Sequence, residues 1–332
     1  MPFPAPLAVS MGDPAGVGPE IVAAAWAARL ADDLPPFFAI GDARALAAIW
    51  DGPVITLAEP GEAAAAFHHG LPLVQVDDPG ELIPGEPNLA GARCALDSLE
   101  IAVGLARNGF AGGIVTGPVS KAQLYAIGFN YPGQTEFVAE RCGIAAANAV
   151  MMLAGPSLRT VPITVHTPLA EVTRLLTTEL IIAKARVTAR ALCRDFGIQR
   201  PRLAFAGLNP HAGESGTLGR EEIEIIRPAV EALLAEDIMV HGPLAADSMF
   251  HAAARSHYDA AMCMYHDQAL IPLKTLHFDD GVNITLGLPI VRTSPDHGTA
   301  FGIAGKRIAN PRAMIAAIRM AGQCAARRLA SG

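Results

Sequence analysis

The chain has 332 residues, of which 51% are hydrophobic and 17% charged, and its formal net charge is -7. This composition supplies enough apolar surface for a large core and excludes a disordered chain. The negative charge argues against a nucleic-acid-binding protein, which needs a basic face. No apolar stretch reaches membrane-spanning length without a break, and the five cysteines form no C-x-x-C pair. We therefore expect a cytoplasmic protein that binds neither nucleic acid nor membrane.

Short apolar runs alternate with longer helical patterns along the chain. The predicted strands are, in order, 7–11, 37–40, 113–116, 149–153, 160–165, 203–206, 258–265 and 282–286. The predicted helices are 19–29, an Ala-rich helix ending at Trp50, 90–108, a short helix capped by Ser120, 178–196, 220–236 and 311–329. This alternation is typical of an α/β fold with a largely parallel sheet.

A hairpin turned at 155–157 interrupts the alternation in the middle of the chain. It predicts two domains with boundaries near residues 130 and 285. The first α/β lobe would combine 1–130 with 285–332, and the second would be 131–284.

Three histidines each follow the apolar run of a predicted strand: His166, His211 and His266. Open α/β sheets build their sites at the carboxyl ends of strands. Converging imidazoles with an open fourth position are typical of a catalytic zinc-type site. The alternative is that each histidine is a hydrogen-bonded surface group, because the three are far apart in sequence. Both interpretations stay open on the pattern alone.

The segment Leu208–Gly216 is dense in small, polar and metal-capable residues. A plain turn requires glycine, asparagine and proline, but it does not require His211 or Glu214. The composition therefore favours a functional loop on a rigid scaffold.

Two other regions indicate ligand binding. Lys274, Asn283 and Arg292 lie in an otherwise apolar stretch, where a bidentate Arg and a point-charge Lys suit an anionic ligand; surface salt bridges are the alternative. The Gly12–Glu20 loop joins a strand to a helix, which suits either an anion or a structural turn. Its glycine spacing is not that of the Rossmann fingerprint.

Many segments together resemble the 4-hydroxythreonine-4-phosphate dehydrogenases of the pyridoxal phosphate pathway, over nearly the whole chain. They are MGDPAGVGPE, TGPVSK, YPGQTEF, ITVHTPL, GLNPHAGE, GPLAADSMF, MYHDQALIPLK and VNITLGLPIVRTSPDHGTA. The later segment HGTAFGIAGKRIANP is similar to the adenosine-binding loop of isocitrate and isopropylmalate dehydrogenases. The resemblance implies their two-domain fold, with NAD or NADP bound without a Rossmann domain.

The resemblance also implies roles for individual residues. A divalent metal (zinc, magnesium, manganese or cobalt) would be bound by His166, His211 and His266. His266 would come from the neighbouring subunit, so the active unit would be a homodimer with sites at its interface and dimer contacts in the second lobe. The implied substrate-binding residues are Gln134, Thr135, Lys274, Asn283 and Arg292. The implied cofactor-binding residues are His297, Gly298, Thr299 and Asn310.

The expected reaction is oxidation of 4-phosphooxy-L-threonine to 2-amino-3-oxo-4-phosphooxybutanoate, which decarboxylates to 3-amino-2-oxopropyl phosphate. Asp247 and Asp267 are candidates for the proton acceptor or for orienting a ligand. One position departs from the family, which usually has histidine where this chain has Gln134. Glutamine cannot become cationic near neutral pH. The alternative is therefore a paralogue that oxidises 4-phosphoerythronate or 4-phospho-D-threonate.

Overall fold

The computed structural model describes residues 4–77 and 80–331. Its strands in chain order are β1 (Leu7–Ser10), β2 (Phe37–Gly41), β3 (Val54–Thr56), β4 (Leu71–Gln75), β5 (Ile114–Thr116), β6 (Val150–Ala154), β7 (Arg159–Pro162), β8 (Arg202–Ala206), β9 (Met239–Leu244), β10 (Ala260–Cys263), β11 (Val282–Leu286) and β12 (Arg292–Pro295). Its α-helices are α1 (Gly18–Ala27), α2 (Ala43–Ala47), α3 (Ala63–Ala66), α4 (Leu89–Arg107), α5 (Lys121–Ala126), α6 (Gln134–Arg141), α7 (Leu169–Leu175), α8 (Thr178–Phe196), α9 (Arg227–Leu234), α10 (Ala252–Arg255), α11 (His266–Leu276) and α12 (Arg312–Ser331). The predicted α/β class is confirmed.

The chain divides into two compact units. The first runs up to Ala146 and includes Leu288–Ala330, and the second is Ala147–Gly287. In the first unit the strand order is β3-β4-β2-β1-β5-β12 and every neighbouring pair is parallel. Strand β1 is buried along its whole length, as expected where both faces of a parallel sheet are covered.

In the second unit the strand order is β11-β6-β7-β10-β8-β9. The predicted hairpin is present, because β6 pairs antiparallel with both β7 and β11. Strands β7, β10, β8 and β9 are mutually parallel. Leu153, Ala204, Ala261 and Leu273 belong to a buried core cluster that packs this sheet against α11.

Several elements differ from the predicted pattern. Strands β3, β4, β9 and β12 are not among the predicted elements; Pro72 inside β4 argues against a strand by sequence alone. The predicted helix 220–236 is split into a π-helical turn, Glu222–Ile226, and α9. Pro228 has no N–H to donate, which interrupts the regular helical ladder there. Across the described ranges, no helix is long and apolar enough to cross a membrane.

Candidate active site

The three histidines follow three adjacent strands of the second unit. Strand β10 lies between β7 and β8, and all three run parallel. His166 follows β7, His266 begins α11 directly after β10, and His211 lies in the turn after β8. Because parallel strands end at the same edge, all three histidines belong to the carboxyl edge of this sheet.

His166 and His266 lie side by side. The segments that follow β7 and β10 stay joined beyond the strands, since Ile163 N–H donates to the Cys263 carbonyl oxygen at 2.7 Å. The Thr164 hydroxyl also donates to the Met264 carbonyl oxygen at 2.8 Å. As a result, the two imidazole rings lie 5.5 Å apart between centroids, tilted by 42°.

A carboxylate lies near two of the histidines, and at His266 it is at hydrogen-bond distance. His266 Nδ1 lies 3.2 Å from Asp267 Oδ1, an arrangement that leaves Nε2 of His266 to act as a ligand. His211 Nδ1 lies 3.9 Å from Glu214 Oε2, and both side chains are exposed. Asp267 is thus placed to orient a histidine, which was one of its two predicted roles.

The donor chemistry of the histidine pair fits a divalent ion of the zinc type. Across the described residues of this chain, however, no group of three or more histidine, cysteine, aspartate or glutamate side chains converges on one point. A single chain therefore brings together His166 and His266, and His211 does not complete a three-residue group with them.

A buried cation occupies the first unit. Arg292, at the start of β12, is 4% exposed. Its Nη2 donates to Thr116 Oγ1 at 2.8 Å and its Nη1 to Thr135 Oγ1 at 3.3 Å. Burial lowers the pKa of Arg292 to about 10, and the nearby Glu136 carboxylate partly offsets this shift. A buried guanidinium that donates to the Thr116 and Thr135 hydroxyls is suited to a phosphate or carboxylate ligand.

Gln134 precedes Thr135 at the start of α6. Its Nε2 donates to the Gly117 carbonyl oxygen at 3.1 Å. Its Oε1 is buried and accepts no hydrogen bond within the described part of the chain. An orphaned buried acceptor is costly, so this oxygen is available to a donor group of a ligand. The structure thus brings Gln134, Thr135 and Arg292 together.

The remaining predicted substrate and acid–base residues lie elsewhere in the second unit. Lys274 is a partly buried residue near the end of α11. Asn283 is on β11, and its buried Oδ1 accepts no hydrogen bond among the described residues. Asp247 lies in the exposed turn Ala246–Ser248 after β9.

The predicted cofactor segment packs against the first loop of the chain. The Thr299 carbonyl oxygen accepts from Val17 N–H at 2.9 Å, and a Cβ on Gly16 would lie 3.0 Å from that oxygen. Asn310 Oδ1 accepts from Arg312 N–H at 3.1 Å, which gives it a structural contact at the start of α12. His297 is exposed, with Nδ1 3.0 Å from the Gly298 carbonyl oxygen.

Several residues that support these groups are not among the predicted site residues. Gln268 Nε2 donates to the Gly207 carbonyl oxygen at 2.8 Å and ties the start of α11 to the segment after β8. Thr116 holds Arg292, and the buried carboxylate of Glu222 holds Asn209, two residues before His211. Lys184 Nζ donates to the Pro162 carbonyl oxygen at 3.4 Å, and burial lowers the pKa of Lys184 to about 8. Of these residues, only Thr116 could have been found from the sequence, because it lies at the end of a predicted strand. The contacts of the others join residues that are distant in sequence.

Known proteins resemble the chain over nearly its full length. Residues 34–321 match the family described as pyridoxal phosphate biosynthetic protein PdxA. A 4-hydroxythreonine-4-phosphate dehydrogenase of Zymomonas mobilis is 57% identical over 325 residues, covering 98% of this chain and 97% of the relative. The crystal structure of a 4-hydroxythreonine-4-phosphate dehydrogenase from Klebsiella pneumoniae is 37% identical, with a TM-score of 0.86 and coverage of 97% and 98%. A terephthalate 1,2-cis-dihydrodiol dehydrogenase from Burkholderia xenovorans is 29% identical, with a TM-score of 0.66 and coverage of 96% and 98%.

Fold and relatives together define an α/β dehydrogenase. At this level of identity and coverage the family is also established. The chain belongs to the PdxA family, as its sequence motifs predict.

Proposed function

We propose that the protein oxidises 4-phosphooxy-L-threonine with NAD or NADP in the biosynthesis of pyridoxal 5'-phosphate, as a cytoplasmic homodimer. The names of the relatives support this substrate. The observation in the chain that carries the proposal is the buried Arg292 guanidinium, bonded to the Thr116 and Thr135 hydroxyls. A buried cation of this kind is stabilised by an anionic group such as the substrate phosphate.

In the proposed reaction the C3 hydroxyl of the substrate loses its proton to a base, and a bound NAD or NADP would supply the acceptor for the hydride of C3. The product, 2-amino-3-oxo-4-phosphooxybutanoate, carries a ketone next to the carbon that bears its carboxylate. The bond to the carboxylate then breaks, CO2 leaves, and the electron pair is accepted by the ketone. Protonation at the former α-carbon gives 3-amino-2-oxopropyl phosphate.

The resemblance implies His266 as the ligand from the second subunit, but in this chain His266 lies beside His166. In our proposal His166 and His266 of one chain, with His211 of a second subunit, would therefore hold one divalent ion. The 5.5 Å pair supports two of these ligands from one chain. A bound ion would supply Lewis-acid polarisation of the substrate hydroxyl. In this assignment Asp267 orients His266, and the exposed Asp247 is the candidate proton acceptor.

The other side chains would bind and orient the two organic ligands. Arg292 and Lys274 supply positive charge to the phosphate, while Thr135, Gln134 and Asn283 supply hydrogen bonds. The unpartnered oxygens of Gln134 and Asn283 support such a role. His297, Gly298, Thr299 and Asn310 would contact NAD or NADP.

One observation favours an alternative substrate in place of 4-phosphooxy-L-threonine. Gln134 presents a neutral buried oxygen where the family usually presents an imidazole. A related phosphorylated four-carbon acid, 4-phosphoerythronate or 4-phospho-D-threonate, is therefore the alternative substrate.

The test is formation of reduced nicotinamide by purified protein of defined metal content. The substrates are 4-phosphooxy-L-threonine, 4-phospho-D-threonate and 4-phosphoerythronate, each with NAD and with NADP. We expect the highest kcat/KM for 4-phosphooxy-L-threonine. A higher value for either of the others would establish the alternative, and no turnover of any of them would overturn both assignments.

A further inference from the structure

His211 lies in a backbone turn that L-amino acids avoid. The five residues from His211 to Ser215 all have positive φ angles, between 42° and 75°. Four of the five are not glycine, and the left-handed conformation is unfavourable for such residues because it brings Cβ too close to the following carbonyl oxygen. Contacts from elsewhere must therefore hold this turn, and strain of this kind clusters at functional sites.

The carboxylate of Glu222 supplies contacts on one side of the turn. Glu222 begins the π-helical turn and is 1% exposed. Its Oε1 accepts from Asn209 N–H at 2.7 Å, and its Oε2 accepts from Asn209 Nδ2 at 3.0 Å. Asn209 Nδ2 also donates to Glu221 Oε2 at 2.7 Å. Asn209 lies two residues before His211, so the buried Glu222 carboxylate, together with Glu221, fixes the entry to the strained turn.

The same carboxylate also lies against the turn. A Cβ on Gly213 would lie 2.5 Å from Glu222 Oε2, and a Cβ on Gly207 would lie 3.2 Å from Oε1. Glu222 forms no salt bridge with any described residue. A buried carboxylate without a cation is costly, and here its hydrogen bonds are made to the segment that carries His211.

We propose that Glu222 is a positioning residue for the metal ligand His211. Its buried carboxylate holds the left-handed turn, and the turn determines where the imidazole of His211 can reach. The inference rests on the proposed role of His211 in metal binding. It adds a residue that touches neither the metal nor the substrate.

The test is Co²⁺ binding to metal-free protein, measured by isothermal titration calorimetry. We expect Glu222→Ala to weaken binding about 10- to 100-fold, the range typical of groups that orient metal ligands. Glu222→Gln retains one acceptor oxygen for Asn209 N–H, so we expect it to lose less Co²⁺ affinity than Glu222→Ala. Glu224→Gln is the matched control, because Glu224 lies in the same π-helical turn but is exposed and bonds to Arg220; we expect no change.

A second variant covers the case in which Glu222→Ala does not fold. Gly213→Ala leaves both Glu222 and His211 in place but puts a methyl group against the carboxylate at a φ of 75°. We expect the same loss of Co²⁺ affinity. In the His211→Ala background, Glu222→Ala is expected to cause no further loss, whereas general destabilisation would add to the loss.

Failure of this inference is distinguishable from failure of the metal assignment. If His211→Ala binds Co²⁺ as tightly as the unaltered protein, the assignment of His211 as a ligand falls, and the positioning role falls with it. If His211→Ala loses affinity while Glu222→Ala and Gly213→Ala retain it, only the positioning role is overturned.

Discussion

The Thr164 hydroxyl donates a hydrogen bond to the Met264 carbonyl oxygen at 2.8 Å. This bond joins the segments that carry His166 and His266 and accounts for the 5.5 Å separation of the two rings. Two imidazoles from one chain supply half of a tetrahedral coordination shell. In the proposed metal site the third histidine is His211 of a second subunit.

Mixing inactive variants tests this arrangement. We expect His211→Ala and His266→Ala homodimers each to lose most bound metal and turnover. After subunit exchange, the heterodimer of the two would contain one intact site and one doubly altered site. Part of the activity should therefore return, measured as nicotinamide reduction by the mixture.

The matched control mixes His166→Ala with His266→Ala. Because these two histidines are neighbours in one chain, their heterodimer would contain no intact site, and we expect no recovery. Recovery in this control, whatever the first mixture gives, would show that the neighbouring histidines serve different sites.

Arg292→Lys tests the buried cation. A lysine keeps the charge but cannot reproduce the planar fork that contacts both Thr116 and Thr135. Loss of a charge-assisted hydrogen bond costs about 1.5–3 kcal/mol. We therefore expect KM for the phosphorylated substrate to rise roughly 10- to 100-fold. Arg190→Lys on the exposed face of α8 is the control. An unchanged KM in Arg292→Lys would remove Arg292 from the substrate site.

Gln134→His tests the departure from the family pattern. A protonated imidazole would offer the substrate a charged hydrogen bond where Gln134 offers a neutral one. We expect KM for 4-phosphooxy-L-threonine to fall roughly three- to tenfold at mildly acidic pH, with a smaller effect at alkaline pH. The measurement is a KM profile over pH for both proteins. A rise in KM that does not depend on pH would contradict the charge argument.

Lys184 makes stability depend on pH. Burial lowers its pKa to about 8, so below this pH the folded protein must carry a poorly solvated cation. Between pH 8 and the ordinary lysine pKa the unfolded chain binds more protons than the folded one, and stability rises with pH. We expect Lys184→Met to raise the free energy of urea unfolding at pH 7 by about 1–3 kcal/mol, with little gain near pH 10.5.

The matched control for Lys184→Met is Arg190→Met, an exposed position on the same helix. We expect it to leave the free energy of unfolding nearly unchanged at both pH values. An equal gain from Lys184→Met at pH 7 and at pH 10.5 would indicate that packing rather than ionisation controls the effect.

Hydrophobic periodicity and local turn signals were sufficient for much of the fold. The helix predicted over 178–196 is α8, and Ser120 caps α5 through the Gln123 N–H. Strand β4 is not predicted because Pro72 lies inside it. Strand β9 is not predicted either, because it is only partly buried and its apolar pattern is weak. Both strands are stabilised by pairing with neighbours that are distant in sequence.

The sequence by itself determined the family and the residue types of the site, because its motifs are local and the strand-end position of a histidine can be inferred from periodicity. The tertiary structure decided which side chains meet. It placed His166 beside His266, gave Arg292 two threonine partners and put the Glu222 carboxylate against the turn of His211. These relationships depend on strand order and on long-range hydrogen bonds, which no local pattern encodes. The left-handed turn is the clearest case, because intrinsic backbone preference opposes it and its surroundings in the folded chain must hold it.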